Sequence, residues 1–278
     1  MENVPVHMAV LRDVYGGNSK NEIIERILDY VWTQLQIHGE IEPPIIGNIQ
    51  KSRFVKSRRV KINYVDMDKT DGYLDIYPEE FSLFVNINLS ERRQRSVIAH
   101  ELGHTFLFNI NKFPIKSYLK VNWLMKDRWK SEDGLAWQIG RQILVPELLL
   151  KEYCQSGHSI KLFEELKDIF NVTTDIMARR LIHDLKLWDI FMFVSEFKES
   201  EQIFTIPKNK ERFKSEKSFQ YFKLNMHWSI IQQALLKIYR TGMDWAYFKI
   251  GKKRYKIEVS SPFGTSWKIV IISPLTYE

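Results

Sequence analysis

His100-Glu101-Leu102-Gly103-His104 is the stretch that most narrows what this chain can fold into. Two histidines four residues apart lie one turn above the other on a helix, so both imidazoles reach a single metal ion. The glutamate beside the first histidine projects to the flank, where it can act on a water held at that ion instead of ligating. The surrounding sequence supports a helix. Ser90 stands at an N-cap position, Glu91 falls in the first turn, and Val97, Ile98, Leu102, Thr105, Phe106 and Phe108 form an apolar stripe. Ahead of it, Phe81 to Leu89 alternates apolar and polar residues as a half-buried strand does. Two histidines flanking a buried carboxylate are costly in a core without a metal. A metal-binding helix that follows a strand is therefore the expectation.

At 278 residues the chain suits one large domain or two modest ones, and its 44% hydrophobic and 27% charged content is ordinary for a globular protein. No run of apolar residues is long enough to span a bilayer, and no basic region followed by an apolar one opens the sequence, so neither a membrane partner nor secretion is expected. The single cysteine, Cys154, excludes an internal disulfide and fits a cytoplasmic location. A lone thiol at a helix end reads as incidental, not as a nucleophile. Charge is unevenly spread. Residues 198–278 carry 15 Lys/Arg against 7 Asp/Glu, whereas the rest carry 26 against 27, so the whole net charge of +7 belongs to the C-terminal third. A basic module joined to a neutral one suggests contact with nucleic acid or an acidic partner; a solvated basic sheet face is the open alternative.

Along the chain, a helix over 20–37 with Ile23, Ile27, Val31 and Leu35 on its apolar face ends at Gly39 and Pro43-Pro44. Strands at 59–65, 72–77 and 82–89, with turns at 68–72 and 78–80, predict an antiparallel meander running into the metal helix. Residues 109–130 read as a loop with a short amphipathic piece. A helix over 132–143 breaks at Pro146 and resumes to 155; two short helices follow over 160–170 and from Thr173/Thr174 to Leu185. Strands at 191–197 and 202–207, a helix at 218–240, and strands at 245–250, 254–259 and 267–272 complete the chain.

A catalytic zinc site takes three protein ligands plus water. The third ligand is sought on a helix able to pack against the first. Ser131 to Pro146 qualifies, because Asp133, Ala136 and Gly140 share one face, and small side chains at 136 and 140 permit close approach.

With the strand, His-Glu-Leu-Gly-His and an acidic helix ending in Ile143-Leu144-Val145-Pro146, the chain resembles the ImmA/IrrE metallopeptidases over about residues 20–188. In that family the second helix reads Glu-x-x-Ala-Asn-x-Phe-Ala and closes on Leu-Leu-Met-Pro. Aligned on Pro146, Ala136 matches the first Ala, Ile139 the Phe and Gly140 the second Ala, which places the acidic ligand at Asp133. Trp137 stands where the family has Asn, and Asp133 is one methylene shorter than the family Glu. Glu132 is the alternative third ligand if the helix is rotated or starts earlier. Residues 166–181 are similar to the family's helix-turn-helix-like segment.

The resemblance implies an α+β fold: a zincin-like core in residues 1–157, a helix-turn-helix-like segment in 158–190, and a basic C-terminal domain in 191–278. Some relatives carry a GAF-like sensory domain at that end. It also implies a zinc-dependent endopeptidase, with Zn2+ held by His100, His104 and Asp133 and with Glu101 as the catalytic base. The expected partner is a cytoplasmic protein substrate, a DNA-binding helix-turn-helix repressor, whose cleavage induces stress-response, defence or mobile-element genes. Arg141, Tyr153, His158 and His183 are polar candidates for stabilising the oxyanion, each equally readable as a surface or packing residue. In the C-terminal domain a nucleic-acid or small-molecule signal is the expected ligand. Lys252, Lys253 and Arg254, with Lys249 and Lys256, would bind phosphates, while Phe248, Tyr255 and Trp267 would stack bases. The alternative is a non-catalytic regulator that keeps the zinc site, with Arg179, Arg180, His183 and Lys186 of the helix-turn-helix-like segment facing DNA; Met177, Leu181 and Leu185 give that helix one buried face, which reads as a packing subdomain instead. Glu101 favours an enzyme, since a structural metal site needs no base beside its ligands.

Overall fold

The computed structural model describes residues 15–39, 52–77, 80–107, 132–198, 200–205, 212–215, 224–260 and 267–275. The expected loop at 109–130, together with Phe108, lies outside them. The chain divides into two compact units: residues 1–150 with Ile169–Thr173, and Lys151–Asp168 with Thr174–Glu278.

The first unit begins with helix α1, Lys20–Ile37, started by Ser19, whose Oγ accepts from the Glu22 N–H at 3.2 Å. Ile23, Ile27, Val31 and Leu35 recur at helical spacing and are fully buried, as that spacing predicts. A short α2, Arg53–Ser57, leads into β1, Val60–Val65; β2, Gly72–Ile76, and β3, Phe81–Asn86, follow. Helix α3, Glu91–Thr105, carries the two histidines, and α4, Glu132–Leu144, packs across it.

The expected meander is corrected by the strand order, β1-β3-β2. β3 lies between its neighbours, parallel to β1 from Val60↔Phe81 to Val65↔Asn86 and antiparallel to β2 from Gly72↔Val85 to Ile76↔Phe81. Burial accounts for the choice. Phe81, Ser82, Leu83, Val85 and Asn86 are all buried, so β3 is covered on both faces rather than half-buried, whereas no residue of β1 or β2 is. The chain from β1 to β2 therefore has to pass the end of β3. Asn86 holds that crossing, donating from Nδ2 to Met67 O at 2.7 Å and to Thr70 O at 3.3 Å.

Helix α5 (Glu147–Tyr153) begins in the first unit and ends in the second, where it runs into a 3-10 turn at Cys154–Ser156, followed by α6 (Ile160–Ile169) and α7 (Thr174–Ala178). The last continues as a π turn to Asp184. Six strands make an antiparallel sheet: β4 (Phe191–Lys198), β5 (Ile203–Thr205), β6 (Arg212–Lys214), β7 (Trp245–Ile250), β8 (Lys253–Val259) and β9 (Trp267–Pro274). Their order is β5-β4-β9-β8-β7, with β6 also on β4. Helix α8, Leu224–Thr241, lays Ile231, Ala234, Leu235 and Ile238 on Phe191, Phe193, Ile257, Val270 and Ile272. The expected helix start at 218 falls outside the described residues. Among those residues no helix is long and apolar enough to cross a membrane.

Candidate metal centre

Helix α3 is a buried platform: every residue from Arg95 to Gly103 is buried. Ser90 occupies the N-cap position but makes no side-chain cap bond. The helix start is pinned instead by Asn171, whose Oδ1 accepts from Arg92 Nε at 3.1 Å and whose Nδ2 donates to Glu91 Oε1 at 2.9 Å. The Asn171 carbonyl also accepts from Arg95 Nε at 3.2 Å. At the other end the Arg58 guanidinium donates to the Thr105 carbonyl and lies 4.2 Å over the Phe106 ring. Tyr15 donates to Phe106 O at 2.6 Å. Both ends of the histidine-bearing helix are therefore fixed before any ion is considered.

Helix α4 meets α3 backbone to backbone. A Cβ on Gly140 would lie 2.7 Å from Ala99 O, and one on Gly103 would lie 2.1 Å from Ala136 O. The small residues expected at 136 and 140 do permit the approach, and Gly103, inside the histidine motif, is the third member of the seam. Its role was not visible in the motif because that position is written as free.

The crossing brings Asp133 to the histidines. His100 Nε2 lies 3.3 Å from His104 Nε2 and 3.2 Å from Asp133 Oδ1, and His104 Nε2 lies 3.8 Å from Asp133 Oδ1. Ligands at about 2.0–2.1 Å from a tetrahedral zinc stand about 3.3–3.4 Å apart, so the two separations from His100 Nε2 match that spacing and His104 Nε2 and Asp133 Oδ1 would close by about 0.4 Å to complete it. Glu101 Oε1 is 3.8 Å from His100 Nε2, at the flank of the triangle. His100, Glu101 and His104 also group as a set able to hold a metal.

Charge at the site follows from burial and contact. Burial pushes the Glu101 carboxyl above the usual carboxylate range, helped by Asp133 and opposed by His100 and His104. Asp133 goes the other way, held far below that range first by the hydrogen bond from His100 and then by His104. At 3.8 Å His104 is too distant for a direct hydrogen bond and acts by attraction. The site thus pairs a fully ionised donor with a carboxyl that welcomes a proton. Trp137 stacks on His100, with ring centroids 4.1 Å apart and planes 19° from parallel.

The remaining sequence-derived candidates are dispersed. The Glu132 side chain lies outside the described part of the molecule, and Arg141 stands two turns beyond Asp133 on α4. In the second unit His158 sits by Trp188 and His183 by Phe213, with ring centroids 6.1 and 6.0 Å apart; Tyr153 ends α5. Burial pushes the Cys154 thiol up to about 11, which leaves little thiolate at neutral pH. In the helix-turn-helix-like segment Arg180 is buried beside Asp184, and Arg179 pairs with Asp175 at 2.9 Å, so both arginines are engaged internally. Lys252, Lys253 and Arg254 are exposed at the β7–β8 hairpin. Phe248 and Tyr255, expected to stack bases, are instead buried against each other, 5.4 Å apart, because they point to the α8 side of the sheet. The exposed aromatics there are Trp245 and Tyr247.

Residues 55–181 match the family model Peptidase_M78, described as the IrrE N-terminal-like domain. No curated protein sequence matches the chain. Among solved structures, a Mycobacterium tuberculosis transcriptional regulator is similar, with a TM-score of 0.51 at 13% identity over 97% of this chain and 81% of that one. At that identity the likeness bears on fold alone.

Proposed function

We infer that residues 55–181, an IrrE N-terminal-like domain of the ImmA/IrrE family, make this chain a zinc-dependent endopeptidase. The observation that carries the reading is the triangle of His100 Nε2, His104 Nε2 and Asp133 Oδ1, at 3.2 to 3.8 Å, with a buried carboxyl at its flank. When bound there, zinc would lower the pKa of a water toward about 7 and polarise the scissile carbonyl. His100 and His104 would bind as neutral imidazoles through Nε2, and Asp133 would supply the anionic ligand. Glu101 would take the proton from the attacking water and pass it to the leaving amine. Its raised affinity for a proton suits that exchange.

The substrate we propose is a cytoplasmic DNA-binding repressor of the helix-turn-helix type, whose cleavage induces stress-response, defence or mobile-element genes. The C-terminal domain, an antiparallel sheet with one helix on its face, suits a GAF-like sensory or docking role. Its exposed Lys252, Lys253 and Arg254 offer a surface for nucleic acid. The test is incubation of zinc-loaded protein with repressors encoded beside its gene, read by intact mass. Wild type yields one defined cut, and Glu101→Gln, equally loaded, yields none. Cleavage that persists in Glu101→Gln would remove Glu101 from the mechanism. Binding without cleavage by wild type would favour the non-catalytic regulator.

A further inference from the structure

We propose that Trp137 is the positioning residue for His100, fixing by stacking the plane in which that imidazole presents Nε2. The inference rests on the zinc reading above. A metal-binding histidine ordinarily donates its second ring N–H to a carboxylate, carbonyl or water, and that contact sets the ring's orientation. Here His100 Nδ1 is buried and has no hydrogen-bond partner among the described residues. The group against the ring is Trp137, which offers a π face and an N–H donor but no acceptor.

The ring is boxed by aromatic contact. Trp137 covers one face at 4.1 Å and 19°, and His104 meets it edge-on at 4.7 Å and 75°. Trp137 is itself held in place, because Ala136 beside it lies against Gly103 and Gly140, one turn on, lies against the backbone of Ala99 and His100. Asp133 is one turn earlier on the same helix. Helix α4 thus delivers both the acidic donor and the clamp on the first histidine. With the stack in place His100 Nε2 still stands 3.2 Å from Asp133 Oδ1 and 3.3 Å from His104 Nε2, so the clamp on the ring face and the donor triangle coexist.

The test uses the full chain as wild type, Trp137→Phe, Trp137→Leu and Trp137→Ala. Zinc affinity is measured by competition with a chromogenic chelator, and the His100 ring protons are followed by NMR in the metal-free protein. We expect upfield-shifted His100 protons in wild type and Trp137→Phe, and loss of that shift in the other two. Zinc affinity should fall about tenfold or more in Trp137→Ala and Trp137→Leu, the range for losing an outer-shell partner. Trp137→Phe, which keeps a π face, should stay within about threefold of wild type. Should Trp137→Ala not fold, Trp137→Leu against Trp137→Phe makes the same comparison at retained volume. Wild-type affinity in a folded variant that has lost the ring shift overturns the proposal. Failure of wild type itself to take zinc would instead overturn the reading beneath it.

Discussion

Replacing Gly103 by alanine sets two effects of opposite sign against each other. Helix propensity alone favours alanine by about 1 kcal/mol in a helix interior. The added Cβ, however, would stand 2.1 Å from Ala136 O, 2.9 Å from its carbonyl carbon and 3.0 Å from its Cα. An ordinary C···O contact is about 3.3–3.6 Å, so α3 and α4 must part by about 1 Å. Backbone on both sides leaves no rotamer to absorb the strain, which puts the cost near the top of the usual overpacking range, about 3 kcal/mol. The net expectation is a loss of about 2 kcal/mol after propensity is credited. Gly140→Ala, with its nearest atom at 2.7 Å, should lose less. Because Asp133 rides on the displaced helix, zinc affinity should fall with stability in Gly103→Ala. Urea unfolding of the metal-free proteins and chelator competition read both quantities. A Gly103→Ala variant stabilised by about 1 kcal/mol, as propensity alone would have it, refutes the account of the seam.

Two further predictions concern charge. Burial raises the folded-state pKa of Glu101, so the stability it contributes is present below the unfolded carboxylate value and is lost as pH rises through the folded one. Metal-free Glu101→Gln should therefore match wild type in acid and exceed it increasingly as pH climbs through that window; a constant difference in urea midpoint would contradict this. In the C-terminal domain, replacing Lys252, Lys253 and Arg254 together by alanine should abolish any salt-sensitive shift of single-stranded nucleic acid in a gel, and a shift that survives would remove the hairpin from that role.

Much of this was legible in the sequence because one-dimensional spacing translates directly into a helix face. His100, His104 and the Asp133–Ala136–Gly140 stripe needed only helical periodicity, and the structure brings them together. Strand adjacency is not written in that way. Residues 66–71 could serve as a turn between neighbours or as a path around a third strand, and the outcome depends on β3 being buried on both faces and on Asn86 bonding across the gap. β6 is three residues long and forms by pairing with Phe191–Phe193, a partner some twenty positions earlier, so no local pattern announced it. Phe248 and Tyr255 show the reverse problem. Aromatics interleaved with lysines look like a binding stripe, yet the strand's period of two turns these toward the core while Trp245 and Tyr247 face out. Trp137 was visible only as a departure from the family pattern; its contact with His100 required the crossing of two helices to be known.

Metal content, measured by mass spectrometry on wild type, His104→Ala, Asp133→Ala and Glu132→Ala purified without added metal, tests the three-ligand zinc site most directly. Wild type should carry about one zinc per chain, lost in His104→Ala and Asp133→Ala and kept in Glu132→Ala. Zinc retained by Asp133→Ala and lost by Glu132→Ala would move the third ligand, and folded wild type that takes no zinc even on reconstitution would contradict the peptidase.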